Sequence, residues 1–196
     1  MENLKWSNPN TMESKNFICG YCNQLVASEK GWFGNLLIGR LVHVARVYIC
    51  PHCKKPTFFG INDEQTPGII FGKDITDISD EGVQKLYDEA RRSVGQNAYT
   101  ATVLCCRKLL MHVAVSKGAK KDLKFIEYVE YLSDKNFITP DAKEWVDYIR
   151  SRGNEANHEI IIMTKDDAEN LLSFSEMLLQ LIYEFPAKSK KLQPHP

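Results

Sequence analysis

Long apolar runs are missing from this sequence. No window of the 196-residue chain has the roughly eighteen uninterrupted apolar residues that a membrane-spanning helix requires. The first residues, MENLKWSNPNTMESKNF, also lack the basic start and the apolar stretch of a secretory signal. We therefore expect a soluble, cytoplasmic protein with no membrane partner, whose cysteines stay reduced.

The chain also has no formal net charge. The chain has 25 Lys and Arg residues against 25 Asp and Glu residues, and residues 80–185 hold 14 basic and 18 acidic ones. This balance excludes a general electrostatic grip on a polyanion. If RNA or DNA is a partner, it must bind through a local basic pocket.

Four of the six cysteines form two C-x-x-C pairs. CGYC supplies Cys19 and Cys22, and CPHC supplies Cys50 and Cys53 after 27 intervening residues. Two such turns can direct four thiolates toward one tetrahedral metal ion, so the pattern predicts a zinc ribbon with one Zn²⁺ per chain. The ion would be structural, because four thiolates leave no coordination position for water. The alternatives are two disulfides or four buried free thiols.

The segment between the two pairs ends in an alternation rich in Val, Ile and Tyr, which predicts a β-hairpin or a pair of strands. KKPTFFGI, after the second pair, predicts a further strand. Five side chains of the segment are candidates for an aromatic and basic surface that stacks bases: Trp32, Phe33, Arg40, His43 and Arg46. The alternative is that the aromatic residues fill a core too small to be stable without a metal.

From about residue 80 the apolar residues recur at helical spacing and predict five helices, packed as an antiparallel bundle. YTATVLCCRKLLMHVAV is the most apolar of them and the expected central helix, with Cys105 and Cys106 as small core residues. In the same helix, Arg107 is a candidate phosphate-binding residue. The alternative for Arg107 is an ion pair with a carboxylate such as Glu89.

Capping signals set the expected helix ends. Gly118 is expected to end the central helix, Asp122 to cap the third helix, and Thr164 with Asp167 to start the fifth, which runs to Pro186. The expected fold class is thus mainly α. Its parts are a small β zinc ribbon at 15–62, a linker at 63–79, a helical bundle at 80–185 and a disordered basic tail at 186–196.

The stretch IRSRGNEANHE, residues 149–159, joins the predicted fourth and fifth helices. It places Arg150 and Arg152 in a final helical turn, followed by Gly153, Asn154 and then His158. One interpretation is a phosphate site formed by the arginines and the histidine. The other is a helix terminus, since cations complement the dipole at a helix C-terminus and Gly-Asn provides a left-handed stop.

Three segments together resemble the uncharacterised bacterial HEPN-like helical domains, which often follow a zinc ribbon or accompany restriction-enzyme subunits. They are YDEARRSVGQNAYTATVLCCRKLL, FITPDAKEWVDYIRSRGNEANHE and TKDDAENLLSFSEMLLQLIYEF. The resemblance covers roughly residues 80–185. It implies a HEPN-like bundle of four or five helices, a homodimer, and a nucleic-acid-related or partner-binding role in bacterial defence, with RNA, DNA or a protein as the partner. Tyr128, Tyr131 and Trp145 are the aromatic residues expected at the dimer interface.

The resemblance also implies an alternative function, a metal-independent endoribonuclease of the toxin or antiphage type with an Arg-x4–6-His motif. In this sequence Arg152 would stabilise the charge on the phosphate and His158 would act as general acid or base. Arg150, Asn154 and Arg107 would bind nucleic acid or phosphate. Gly153 follows Arg152 where nuclease motifs usually have a polar residue, so the resemblance leaves open whether the chain is an enzyme.

Overall fold

The computed structural model describes residues 4–8, 11–38, 40–138 and 162–192. It separates into two compact units, Met1–Ile70 and Phe71–Pro196. The division lies inside the segment 63–79 that the sequence predicts as a linker. The first part of that segment therefore belongs to the N-terminal unit, and the second part belongs to the C-terminal unit.

The N-terminal unit is built from seven strands: β1 (Leu4–Ser7), β2 (Lys15–Ile18), β3 (Leu25–Ser28), β4 (Gly31–Ile38), β5 (Arg40–Ile49), β6 (Pro56–Phe59) and β7 (Gln65–Thr66). All pairings are antiparallel, and the strands form a five-stranded sheet in the order β1-β4-β5-β6-β7 and a two-stranded sheet, β2-β3. The long pair β4-β5 is the centre of the larger sheet and has a register shift between Gly34 and Asn35.

A small apolar core lies on one side of the larger sheet. Its six buried residues are Met12, Phe17, Cys19, Tyr48, Cys50 and Phe59. The rings of Phe17 and Phe59 meet edge to face with centroids 5.3 Å apart, and the Tyr48 hydroxyl donates to the Glu13 carbonyl at 3.0 Å. A core of this size buries little apolar surface, and two of its six residues are cysteines of the C-x-x-C pairs.

The C-terminal unit contains helices α1 (Glu81–Gly95), α2 (Tyr99–Ser116), α3 (Phe125–Asp134) and α4 (Lys165–Leu179), followed by a π-helical turn (Gln180–Glu184) and α5 (Phe185–Leu192). Helix α2 contacts α1, α3 and α4, so it is central as predicted. Its apolar face buries Val103, Cys106, Leu109, Leu110 and Val113. None of the helices in the described ranges combines the length and the hydrophobicity needed to cross a bilayer.

Several helix ends follow the predicted caps. The Thr164 hydroxyl accepts from the backbone N–H of Asp167 at 3.2 Å, and the Asp167 carboxylate accepts from the N–H of Thr164 at 2.9 Å. Gly118 has a left-handed φ of 101° just after α2, as expected for a helix stop. Asp122 is not a cap, because α3 begins only at Phe125, with Lys124 as the N-cap residue.

The segment that precedes α1 is fixed to the helices by buried polar groups. The Arg91 side chain, 6% exposed, donates to the Phe71 carbonyl at 3.0 Å and to the Gly72 carbonyl at 3.1 Å. The Tyr87 hydroxyl donates to the Lys73 carbonyl at 2.9 Å. Since Ile75 is also buried in the helical core, the second half of the predicted linker is an integral part of the C-terminal unit.

The predicted fold class, mainly α with a five-helix bundle, is wrong. Within the described residues, the N-terminal unit contains seven strands, and the C-terminal unit contains α1, α2, α3 and one continuous helical run from α4 through the π-helical turn to α5. Strands of two to four residues, such as β1 and β7, are too short to show a period in sequence. The residues expected to form the fourth helix, 142–149, lie outside the described residues.

The segment predicted as a disordered tail also differs. Pro186 does not end the helix, because the chain continues as α5 to Leu192. Proline has no N–H, and its ring crowds the preceding turn, so it interrupts the α-helical hydrogen bonds. The π-helical turn directly before Pro186, in which the Phe185 N–H donates to the Gln180 carbonyl, accommodates that interruption.

Candidate metal centre

The two C-x-x-C pairs form two turns with the same backbone hydrogen bonds. In the first turn, the Cys19 N–H donates to the Gln24 carbonyl and the Asn23 N–H donates to the Cys19 carbonyl. In the second turn, the Cys50 N–H donates to the Lys55 carbonyl and the Lys54 N–H donates to the Cys50 carbonyl.

Both turns use a left-handed residue directly after their second cysteine. Asn23 has a φ of 56° and Lys54 has a φ of 63°. The left-handed residue reverses the chain, so that both sulfurs of a pair point to the same side of their turn. The two turns are thus equivalent in their local geometry.

The four thiol groups lie close together and form one cluster. The sulfurs of Cys19, Cys22, Cys50 and Cys53 all lie within 4.8 Å of one another. Cys19 Sγ and Cys53 Sγ are 3.7 Å apart, and Cys22 Sγ and Cys50 Sγ are 3.8 Å apart. Four sulfurs at about 2.3 Å from one tetrahedral ion would be separated by roughly 3.8 Å, so the residues present fit a tetrathiolate metal site. The predicted cluster of four cysteines is confirmed.

These distances exclude the alternative of two disulfides. A disulfide requires its sulfurs to lie about 2.05 Å apart, whereas all four cysteines are free thiols here. Cys19 and Cys50 are completely buried, and Cys22 and Cys53 are partly exposed. A metal ion at the centre of the cluster would therefore be shielded from solvent on the side of Cys19 and Cys50 and be closer to solvent on the side of Cys22 and Cys53.

The environment acts in opposite directions on the individual thiols. Burial raises the pKa of the Cys50 thiol, but hydrogen bonds from the backbone N–H groups of Cys53 and His52 outweigh burial and bring that pKa down to about 7. Burial and the neighbouring thiols raise the pKa of Cys22 to about 12. Four adjacent thiolates repel one another, and a divalent cation removes that repulsion.

Strand β7 and the loop that follows it close over the first turn. The Gln65 side chain donates to the Ile18 carbonyl at 2.8 Å and to the Pro67 carbonyl at 3.0 Å. A Cβ atom at Gly20 would lie 2.3 Å from the Pro67 carbonyl oxygen and 2.4 Å from that of Gly68. Only glycine therefore allows the backbone of this loop to lie directly against the CGYC turn.

We expect Gly20→Ala to destabilise the N-terminal unit by about 2 kcal/mol, because backbone atoms must move to make room for the added methyl group. Gly60→Ala is the matched control. Its Cβ would meet the Glu64 side chain, which can rotate away, and we expect a smaller loss. Chelator titration monitored by near-ultraviolet circular dichroism measures both variants. Equal midpoints for the two would show that the loop does not constrain the first turn.

The side chains predicted to form one base-stacking surface do not share a face of the sheet. Phe33 and His43 stack with ring centroids 4.5 Å apart, on the side of the metal core. Arg46 pairs in register with Phe33 and donates to Asp63 at 2.8 Å. Trp32 pairs with Val47 and lies on the opposite side. The side chain of Arg40 is outside the described part of the molecule.

Arg107 does not pair with Glu89. Its guanidinium lies over the Phe125 ring at 4.3 Å from the centroid, and burial lowers its pKa. Arg150, Arg152, Asn154 and His158 lie outside the described residues, so the proposed phosphate site stays a prediction. Of the aromatic residues expected at a dimer interface, Tyr128 is buried in the helical core and Tyr131 packs against that core.

The tyrosine hydroxyls explain that placement. Tyr131 donates to the Lys117 carbonyl at 2.8 Å, and Tyr128 accepts from the Leu123 N–H at 3.3 Å. Tyr128 is therefore committed to the core of its own chain, whereas Tyr131 packs against that core and keeps part of its surface exposed. The third residue expected at that interface, Trp145, is outside the described residues.

Comparisons with known proteins give one match. Neither the curated proteins nor the solved structures contain a significant match to the chain. A family model described as "Domain of unknown function (DUF4145)" matches residues 88–195, which is more than half of the 196 residues and includes most of the helical unit. The chain therefore belongs to the DUF4145 family of uncharacterised domains.

Proposed function

We propose that this protein is a non-catalytic nucleic-acid-binding module in which a zinc ion stabilises the β unit and the helical unit is HEPN-like. The observation that carries the proposal is the cluster of four thiols, which fits a closed tetrahedral shell. Zinc is the metal of choice for four thiolates in a tetrahedron. With no open position for water or substrate, such an ion contributes folding energy and no chemistry.

The charge distribution supports a nucleic-acid partner for the N-terminal unit. Residues 1–70 contain seven Lys and Arg and five Asp and Glu, whereas residues 71–196 contain 18 and 20. The net charge of the whole chain is thus zero, although the N-terminal unit has more basic than acidic residues. A local basic surface is what an electrically balanced chain needs to bind a polyanion.

The helical unit supports the HEPN-like assignment through its sequence resemblance and its central apolar helix α2. In the proposal this unit forms a homodimer and acts in a defence-related process, with the N-terminal unit as the nucleic-acid contact. A dimer interface would have to use residues other than Tyr128, because Tyr128 is buried within its own unit. The endoribonuclease alternative depends on Arg152 and His158, on which the described residues give no information.

Direct binding tests the proposal. We expect the zinc-loaded full-length protein to bind fluorescein-labelled RNA or DNA oligonucleotides in an anisotropy titration, with an affinity that falls as salt is raised. The oligonucleotides should be recovered intact, which distinguishes a binding module from a ribonuclease. A wild-type protein that binds neither RNA nor DNA at 50 mM salt would refute the proposed function, and RNA cleavage that is lost in His158→Ala would replace it by the ribonuclease alternative.

A further inference from the structure

The larger sheet of the N-terminal unit has one face turned away from the metal core. Cross-strand partners lie on the same face of a sheet. The register aligns Trp6 with Gly34, Gly34 with Ala45, Trp32 with Val47, and Val47 with Phe58. These six residues define what we call the open face. Their neighbours in sequence, such as Phe33 and Phe59, point to the opposite side and contact the metal core.

The open face presents aromatic rings to solvent. Trp6 is 46% exposed and Trp32 is 37% exposed. The Trp6 ring extends over Gly34, where a Cβ atom would lie 3.2 Å from it, and reaches Phe58 with a centroid distance of 6.5 Å. Gly34 is therefore the residue that lets an indole ring lie across the centre of the sheet.

Charge is distributed around the open face in a way that suits a polyanion. None of the six residues of the open face is charged. The Asp63 carboxylate lies on the metal side of the sheet, where Lys15 contacts it at 2.7 Å and Arg46 at 2.8 Å.

Lysines are found at the end of β5, beside the second C-x-x-C turn. Ile49, two residues beyond Val47 on β5, lines a cavity of about 530 Å³ together with Lys30 and Lys54. Glu29 also lines that cavity, so two cations and one anion surround it.

We propose that the open face is a stacking platform for the bases of single-stranded nucleic acid, with Trp6 and Trp32 as the stacking residues and Lys30 and Lys54 as the phosphate contacts. The inference rests on the proposed function and assigns it a site. Unpaired bases have free π faces that stack on exposed aromatic side chains, whereas the bases of a duplex are already stacked on one another. Single strands should therefore bind more tightly than a duplex of the same length.

The test measures binding of full-length, zinc-loaded protein to labelled twelve-nucleotide oligo(U), oligo(dT) and a DNA duplex. We expect Trp6→Ala and Trp32→Ala each to weaken binding of the single strands by roughly tenfold or more. Trp6→Phe and Trp32→Phe, which keep a ring, should retain most of the affinity. Leu25→Ala is the control, because Leu25 is 76% exposed on β3 in the other sheet and should have no effect.

Further measurements separate the contribution of phosphate contacts from that of base stacking. Lys30→Ala and Lys54→Ala should each reduce the dependence of binding on salt by about one phosphate contact. Zinc content and circular dichroism of each variant show whether it is folded. If an alanine variant is not folded, the preference for single strands over the duplex and the lysine variants carry the test. Comparison of oligo(U) with oligo(dT) determines whether the natural strand is RNA or DNA.

The outcomes distinguish this inference from the function on which it rests. Wild-type protein that binds single strands with the same affinity as both tryptophan-to-alanine variants would overturn the platform and leave nucleic-acid binding intact. Wild-type protein that binds no nucleic acid would overturn both. Preferred binding of the duplex would also overturn the platform. Loss of a protein partner in the tryptophan variants, without any nucleic-acid binding, would identify the open face as a protein interface instead.

Discussion

Cys50→Ser is expected to reduce the zinc content from one ion per chain to none and to unfold the N-terminal unit. Cys50 is completely buried, and its sulfur lies 3.8 Å from that of Cys22 on the other turn. Structural zinc binding in small domains contributes on the order of 10–16 kcal/mol at neutral pH. A core of six buried residues, two of which are metal ligands, cannot replace that contribution.

Elemental analysis of the purified variant measures the metal, and amide hydrogen exchange measures folding of each unit separately. Cys105→Ser is the matched control, since Cys105 is a free, partly buried cysteine on α2 outside the cluster. It should retain the zinc and the protection of the N-terminal unit. Wild-type protein prepared without chelator and found to lack metal, yet with a protected N-terminal unit, would contradict a structural metal.

Arg91→Ala should destabilise the C-terminal unit by about 3 kcal/mol, because it removes a buried guanidinium and leaves two backbone carbonyls without their donors. Those carbonyls belong to Phe71 and Gly72. The ion pair with Asp74 at 3.2 Å adds little, since Asp74 is 79% exposed. We therefore expect the loss to come from the hydrogen bonds and from the Arg91 contact with the Tyr87 ring.

Urea denaturation with helical circular dichroism measures this loss. Arg92→Ala, at the next position on the same helix, is the control because Arg92 is exposed, and its free energy of unfolding should change by less than about 0.5 kcal/mol. Hydrogen exchange in Arg91→Ala should show the largest gain in exchange at residues 71–75. Equal unfolding free energies for the two variants would mean that the segment before α1 is not held by Arg91.

The metal ligands could be predicted from the sequence because their chemistry is local. Each C-x-x-C turn closes on itself through hydrogen bonds within six residues, such as Asn23 to Cys19, so the spacing alone indicates the geometry. The cap at Thr164 was predictable for the same reason, since its partner Asp167 lies three residues away. Which metal the four thiols hold is not determined by their spacing.

The strand pairing could not be predicted, because it depends on contacts that are distant in sequence. Trp6 lies in a four-residue strand whose partner is Gly34, and only that pairing reveals why a glycine occupies the centre of the sheet. The register shift after Gly34 also changes which side chains share a face. The sequence alone thus places Trp32 on one surface with Phe33 and His43, and it does not indicate that Trp6 and Phe58 share a face with Trp32. The alternation of residues in β4 was the available signal.

The segment that precedes α1 was also not predictable from the sequence. FGKD, residues 71–74, contains a glycine and an aspartate, which are typical of a linker, yet it is fixed by Arg91 and Tyr87 from the following helix. Buried polar side chains of this kind are charged or aromatic residues on an otherwise ordinary amphipathic helix. The sequence gives no sign of which carbonyl groups they will reach.

The π-helical turn before α5 affects the geometry of everything that follows it. A π turn holds about one residue more than an α turn, which corresponds to a rotation of roughly 100° for the side chains beyond it. With the side chains of α5 rotated in this way, Lys191 contacts Asp77 at 3.0 Å and Lys188 contacts the buried Glu184. Such a turn has the geometry of a single-residue insertion, so deletion of one residue within 180–184 would restore an uninterrupted α-helix and direct the terminal lysines to a different side of the molecule.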